Sequence, residues 1–473
     1  MADLDLVDLA QHHPVAARGP SEGRVVYWLP VMNVHLVSLG CPKNQVDAEL
    51  MLGALARAGA IAVEDPTASD CLVVNTCAFI ERAKQESVET ILQLASFKTG
   101  HPGRRLIVTG CLPQRYGAEL LREMPEIDAI VGTGELHRIV DVVRGLDARR
   151  EWVTGAPPGY VYDAQAPRVR LGRVPYAYVK IAEGCNMGCT FCAIPLMRGR
   201  HRSRRLRDIV AEVETLGRAG VQEVVLVSQD TLAYGQDLPG AARADFGDLL
   251  LALSETAVPW LRYHYLHPAH VTDRLVGKLA RARALPYLDM PIQHADDGIL
   301  RAMRRGVTRR RMAETIATLR EAIPGATLRT TVLVGFPGET EAAFETLLEF
   351  LETVRFDRVG AFTYSLEEGT PAATMADPVP PEVAAERARL VQETQDRLAW
   401  ERQQALLGTV QAVLVDGPSQ DPAFPWEGRT AAQAPEIDGV VYLRDADLSA
   451  GSIVPAEIVE VDGYDLVGVV PRG

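Results

Sequence analysis

This sequence predicts an α/β fold in three parts: an open parallel sheet with its helices, a partial barrel of six strand-helix units, and a short β-rich module. Three observations carry that expectation. Near the N-terminus three apolar runs end in Cys41, Cys77 and Cys111, 36 and 34 residues apart, about one strand-helix-strand unit each. From about 171 to 400, six β-branched runs alternate with stretches whose apolar residues recur at helical spacing. From about 403 to 473 the pattern changes again, to short strand-like segments.

Composition bounds the function. The 473 residues are 47% apolar and 23% charged, ordinary for a globular chain with length for about three domains of ~150 residues each. No run reaches the ~18 apolar residues of a membrane span. Residues 1–32 carry acids, the pair His12 and His13, and a proline where a signal peptide would need a basic start and an apolar middle. The expectation is a cytoplasmic protein, with 1–32 a disordered extension. Seven cysteines, an odd count in a reducing compartment, point to metal binding or catalysis rather than disulfides. A net charge of −13 disfavours indiscriminate nucleic-acid binding.

The first domain is expected at 33–145. "VHLVSLGC" (34–41), "CLVVNTC" (71–77) and "RRLIVTGC" (104–111) each read as an apolar strand followed closely by a thiol. Helical patterns such as 79–96 lie between them, so right-handed crossovers make the strands parallel. Their C-terminal ends then share the sheet edge where α/β folds bind ligands. Cys41, Cys77 and Cys111 are thereby expected to converge as metal ligands. Cys71 begins the strand that Cys77 ends, so it belongs at the opposite edge as a small core residue.

After an expected linker at 146–170, the second domain (171–400) opens on "VPYAYVKI" (174–181), a β-branched and aromatic strand. "EGCNMGCTFC" (183–192) follows, and Ser203 is placed to cap a helix with Leu206, Ile209, Val210, Val213 and Leu216 on one face. Three thiols, Cys185, Cys189 and Cys192, thus share one strand-to-helix loop. A structural zinc site wants four ligands in two close pairs, and no second pair is near. Soft thiolates on a compact loop suit an iron-sulfur cluster in which one iron has no protein ligand.

Five further strands follow: "QEVVLVSQD" (222–230), "WLRYHYL" (260–266), "PYLDMPI" (286–292), "ATLRTTVLVG" (326–335) and "DRVGAFTYS" (357–365). Six strand-helix units make a partial (β/α)6 barrel, whose chemistry gathers at the C-terminal strand ends. Ser228, Gln229, Asp230, His264, His267, Gln293, His294, Arg329 and Tyr364 are read at or near those ends. "GFPGE" (335–339) lacks the Lys-Ser/Thr of a phosphate loop and reads as a tight turn between strand and helix.

The spacing Cys-x3-Cys-x2-Cys, with Phe191 before the last thiol, resembles the radical S-adenosylmethionine (SAM) enzymes. With "SLGCPKN" (38–44), "VNTCAFI" (74–80), "VTGC" (108–111), "GFPGE" and "YSLEEGTPA" (364–372) in order, the chain resembles the methylthiotransferases of that superfamily from about residue 33 onward. The resemblance implies two 4Fe-4S clusters. One, on Cys185, Cys189 and Cys192, cleaves SAM to a 5′-deoxyadenosyl radical; the other, on Cys41, Cys77 and Cys111, is the site of sulfur delivery. It further implies a radical SAM core at 171–400 and a small TRAM β-barrel at 403–473. Gln229 and Arg329 look like the residues with which the superfamily holds SAM. An electron donor such as flavodoxin or ferredoxin is implied as a partner.

The family has branches that modify a transfer-RNA adenosine or the β-carbon of an aspartate in the twelfth protein of the small ribosomal subunit. From Val410 onward there are eleven acids against three arginines, a poor match for phosphates and a good one for a basic ribosomal protein. "SLGCPKN" also resembles the ribosomal-protein branch. Against this stand "RGRHRSRRLR" (198–207) and "RAMRRGVTRRR" (301–311), each with six arginines, which read as solvated helix faces. The transfer-RNA enzyme, and a non-catalytic iron-sulfur carrier, are the alternatives that sequence leaves open.

Overall fold

The computed structural model describes residues 32–145, 150–152, 159–172, 174–240, 243–445 and 447–471. The expected tail up to residue 31, His12 and His13 included, lies outside the described residues. The chain divides into two compact units, Met1–Tyr160 with Gln165–Arg173, and Val161–Ala164 with Val174–Gly473.

In the first unit, β1 (Asn33–Ser38), β2 (Ile61–Ala62), β3 (Cys71–Thr76), β4 (Arg105–Gly110), β5 (Ala129–Gly132) and β6 (Glu151–Trp152) form one sheet in the order β2-β1-β3-β4-β5-β6. Every pairing is parallel. Helices α1 (Pro42–Arg57), α2 (Glu81–Ser96), α3 (Cys111–Glu123) and α4 (Ile139–Val143) make the connections. β3 and β5 are buried along their whole length, which is why they read as unbroken apolar runs rather than alternating ones. The stretch expected as a linker supplies β6 and a strap across α1. There Val169 N donates to Glu49 O at 3.0 Å and Arg168 Nε to Glu49 Oε2 at 2.7 Å. Gly53 lets the strap approach, since a Cβ there would lie 2.4 Å from the Pro167 backbone.

The second unit holds six parallel strands: β7 (Tyr176–Lys180), β10 (Glu223–Val227), β11 (Trp260–Tyr263), β12 (Tyr287–Asp289), β13 (Thr327–Val334) and β14 (Arg358–Thr363). They pair as β7-β10-β11 and β12-β13-β14, and two bonds, Leu285 N to Leu261 O and Leu266 N to Asp289 O, carry the arc from β11 to β12. Alternate residues of the strands, Val179, Leu226, Leu261, Leu288 and Val332 among them, join the core under the helices. The helices are α5 (Ile194–Arg198), α6 (Leu206–Arg218), α7 (Phe246–Leu253), α8 (Asp273–Leu279), α9 (Asp297–Ala302), α10 (Arg309–Ala322), α11 (Glu341–Val354) and α12 (Pro381–Gln404). Between β7 and α6, β8 (Ala182–Glu183) pairs antiparallel with β9 (Arg202–Ser203). Ser203 therefore does not cap α6, whose cap position is Arg205; its hydroxyl donates to Asp237 at 2.6 Å instead.

Five strands, β15 (Val410–Pro418), β16 (Trp426–Thr430), β17 (Val441–Leu443), β18 (Ile453–Asp462) and β19 (Asp465–Val469), close a small barrel in the order β15-β16-β17-β19-β18. This barrel covers the N-terminal ends of the six parallel strands. Glu223, the first residue of β10, accepts from Arg262 Nε and from Arg429 NH1 of β16, both at 2.6 Å. Arg429 also grips Asp416 through two bonds of 2.7 and 2.8 Å. Asp438 accepts from Tyr287 OH at 2.6 Å and lies 3.8 and 3.9 Å from Arg329 and Arg358. Burial works against ionisation of Glu223, but Arg262 and Arg429 outweigh it and hold the carboxyl below its usual range.

Candidate active site

The sheet order of the first unit reverses direction at β1, since the chain passes first to β2 on one side and then to β3 on the other. Ligand crevices open outside the strand ends at such a switch point. Cys77 directly follows β3, Cys111 directly follows β4, and Cys41 is the N-cap residue of α1 three positions after β1. The register Thr76↔Gly110 sets Cys77 beside Cys111. Cys41 and Cys111 stand at the N-termini of α1 and α3.

The packing there leaves no room for larger residues. Gly40, at φ 94°, would place a Cβ 2.6 Å from Cys77 Cβ, and Gly110, at φ 97°, one 2.5 Å from Asn75 Oδ1. Buried Asn44 donates to Leu39 O and Thr76 O, both at 2.9 Å, and its Oδ1 lies 3.8 Å from Cys111 Sγ. Asn44 thus fastens the ends of β1 and β3 next to the thiols. Cys71 stands at the other end of β3, fully buried, and burial pushes its thiol up to about 12.

The second triplet occupies the loop after β8. Gly184, at φ 77°, lies under the returning chain, and a Cβ there would be 2.2 Å from Arg200 O. Cys185 N donates to Gly199 O at 3.1 Å and Cys192 N to Cys189 O at 3.2 Å. Thr190 ties the loop to the end of α9 through Ala302 O and Met303 O, and Phe191 packs against the cluster of Ile299, Met303 and Phe336. Burial raises the thiols of Cys185, to about 11, and Cys192, to about 12. A coordinating iron overcomes such a cost by deprotonating the thiol outright. Among the described residues no three His, Cys, Asp or Glu side chains are gathered closely enough to share a single metal ion. A cubane takes one thiolate per iron, so its ligands stand further apart than those of one ion. Two sets of three soft donors suit such clusters and suit a hard cation poorly.

Buried polar atoms that lack a hydrogen bond collect around the C-terminal strand ends of the partial barrel, His294 Nε2 among them with Glu339 at 3.8 Å. Gln229 Oε1, His267 Nε2, His294 Nε2 and Tyr364 OH are buried atoms with no hydrogen bond. The other sides of these residues are fixed: Gln229 Nε2 reaches Glu183 at 3.4 Å, and the Nδ1 atoms of His267 and His294 accept from the backbone at 3.2 and 3.0 Å. His264 pairs with Asp289 at 3.3 Å and His270 with Asp230 at 3.2 Å. Tyr265, after β11, and Gln293, after β12, hold left-handed backbone at φ 66° and 71°, a strain of about 1 kcal/mol each that gathers at functional sites. Unsatisfied buried donors and acceptors beside the three-cysteine loop suit a polar ligand such as SAM.

Arg329 stands elsewhere. It is the third residue of β13, not at its C-terminal end, and it pairs with Asp289 at 3.2 Å and Asp438 at 3.8 Å on the side that the small barrel covers. Glu183, by contrast, was not singled out from sequence. It sits two residues before Cys185 and receives Lys180, Arg198 and Gln229 at 3.4, 2.9 and 3.4 Å. Burial opposes its charge, but Lys180 and Arg198 prevail and keep it ionised. A carboxylate two residues before the first cysteine of the loop was the available signal.

Comparison with known proteins agrees with this architecture. The chain matches the Radical SAM superfamily over residues 179–351, the uncharacterized protein family UPF0004 over 33–132 and the TRAM domain over 407–470. It is 48% identical to the ribosomal protein uS12 methylthiotransferase RimO of Anaeromyxobacter sp. (strain K), over 92% of each chain. The RimO of Geobacter sulfurreducens is 44% identical, over 92% of this chain and 98% of that one. Among solved structures, the radical SAM methyltransferase TsrM from Kitasatospora setae shares the fold with a TM-score of 0.54 at 15% identity, covering 72% of this chain and 77% of that one.

Proposed function

The chain belongs to the ribosomal protein uS12 methylthiotransferase family of radical SAM enzymes, and from that premise we propose that it adds a methylthio group to the β-carbon of an aspartate in uS12. The observation that carries this is the likeness to RimO over 92% of the chain, with both cysteine triplets inside the matched span.

Residue roles follow from chemistry and position. Cys185, Cys189 and Cys192 hold one 4Fe-4S cluster, and Cys41, Cys77 and Cys111 hold the second. With SAM, the bound clusters supply a carbon radical at the substrate and the methylated sulfur that it collects. The protein keeps the thiols in register, excludes water and presents polar atoms to SAM. Gln229, with an unpartnered Oε1 beside the cysteine loop, is assigned to that contact. Arg329 is not, because Asp289 and Asp438 already engage it.

The basic substrate suits the acidic small barrel, although part of that acidity is used internally. Asp416 and Asp438 pair with arginines and Glu436 accepts from Tyr176 at 2.9 Å. Glu460 pairs with Arg444 at 2.7 Å, while Glu457 and Asp462 remain exposed along β18, placed to steer a basic protein toward the site. A flavodoxin or ferredoxin is the electron donor of this reading, and the cytoplasm its compartment. Among the described residues no helix is long and apolar enough to cross a membrane.

Mass spectrometry of uS12 and of transfer RNA from a strain lacking this chain tests the assignment. The expected result is uS12 without its methylthio group and unchanged transfer RNA. The reverse pattern overturns it in favour of an RNA substrate.

A further inference from the structure

The second arginine-rich stretch, 301–311, reads as a solvated face, and five of its arginines are exposed or half-buried. Arg305 is different, with 5% of its surface exposed. The turn that buries it is unusual: Arg304 and Gly306 on either side both hold left-handed backbone, at φ 55° and 65°, and Arg305 N donates to Leu300 O at 2.9 Å. That turn ends α9 and directs one guanidinium of six inward.

Arg305 NH2 donates to Pro291 O at 2.7 Å, and NH1 donates to Cys189 Sγ at 3.3 Å. Among the described residues no carboxylate lies within ion-pair distance of it, and its Nε has no partner. A buried, uncompensated cation costs several kcal/mol, so such a group is kept where an anion accompanies it. A cluster ligated by three thiolates carries net negative charge, and it gains a further electron on reduction. Hydrogen bonds to cluster sulfurs and nearby positive charge favour the reduced state.

We propose that Arg305 is a positioning residue for the cluster of Cys185, Cys189 and Cys192, and that its bond to Cys189 raises the reduction potential of that cluster. The proposal rests on the assignment of those three cysteines as cluster ligands. Arg305 acts through Cys189, so its mark is on the potential rather than on the bond-breaking step.

The test uses the full chain carrying Cys41→Ala, Cys77→Ala and Cys111→Ala, so that one cluster gives the signal. Iron and sulfide content and the midpoint potential by EPR-monitored titration are compared for Arg305, Arg305→Lys and Arg305→Met. The expected result is a full cluster in each, with a potential lower in Arg305→Met and intermediate in Arg305→Lys, which keeps the charge but not the planar fork. An unchanged potential in Arg305→Met, or loss of iron from both variants, overturns the proposal. Absence of a cluster from the protein that retains Arg305 instead refutes the ligand assignment beneath it.

Discussion

The two ends of the central barrel are built on opposite principles. At the N-terminal ends of the strands, charge meets charge: Glu223 holds Arg262 and Arg429, Asp416 completes Arg429, and Asp438 joins Tyr287, Arg329 and Arg358. At the C-terminal ends, Gln229, His267 and Tyr364 keep buried polar atoms without partners, and His294 Nε2 has only Glu339 at 3.8 Å. One end meets its carboxylates with arginines of the same chain, although Arg262 NH2 and Gln433 Nε2 stay unbonded there, and is spent on stability. The other carries unsatisfied groups and left-handed residues at a cost, which is how a site reserved for a ligand differs from a finished interface.

The largest expected effect lies at the open end. Cys185→Ala should abolish release of 5′-deoxyadenosine from SAM under dithionite, while its unfolding free energy stays within about 1 kcal/mol of the cluster-free parent. Cys41→Ala should spare that release and lose methylthio transfer to uS12. Equal loss of cleavage in both would erase the division of labour between the triplets.

Next comes the closed end. Glu223→Ala leaves Arg262 and Arg429 buried without their shared partner, and should cost about 3–5 kcal/mol in urea unfolding. Cleavage of SAM per folded molecule should not change. A fall in turnover without a fall in stability would mean that the closed end also serves the chemistry.

How much of this was legible beforehand follows the range of the interactions. The strands were readable because parallel strands buried on both faces must be apolar throughout, as "CLVVNTC" is. Their end-residues were readable for the same reason, and His264, Gln293 and Tyr364 fall where strand counting put them. Arg329 was misplaced because its position within β13 depends on where the strand stops, and its partner Asp438 is far along the chain. Ser203 has the composition of a cap, but pairing of β9 with β8 claims it first. Arg305 could not be told from five other arginines, because its burial is decided by a turn of two left-handed residues.

A smaller contrast concerns ligand affinity. Gln229→Ala removes an oxygen that has no protein partner together with the long Nε2 contact to Glu183, so stability should fall by no more than about 1 kcal/mol. If that oxygen contacts SAM, KM for SAM should rise about tenfold, the ~1.4 kcal/mol of one good buried hydrogen bond. Unchanged KM would remove Gln229 from the site and return the choice to its neighbours.

The last contrast is in acid, where the two ends should respond over different ranges of pH. Glu223 at the closed end and Asp289, the last residue of β12, at the other are both held below the ordinary carboxylate range: burial opposes this in each, and Arg262 with Arg429 for Glu223, and His264 with Arg329 for Asp289, outweigh it. A depressed folded pKa gives stability that is complete above the unfolded value and is lost as pH falls through the folded one, by at most about 1.4 kcal/mol per pH unit for each group. Asp416 works in the opposite sense, because burial dominates and raises it, so it gains from mild acid and blunts the onset. Burial also holds the imidazoles of His201, His267 and His294 below the ordinary histidine value, with His270 alone raised, so urea midpoints should begin to fall below about pH 6.5 and fall further below about pH 4.5, where unfolded glutamates begin to bind protons. Glu223→Gln should flatten only the fall below about pH 4.5 and leave the fall that begins near pH 6.5 unchanged. A change in the upper part of the curve as well would mean that the two ends are not independent.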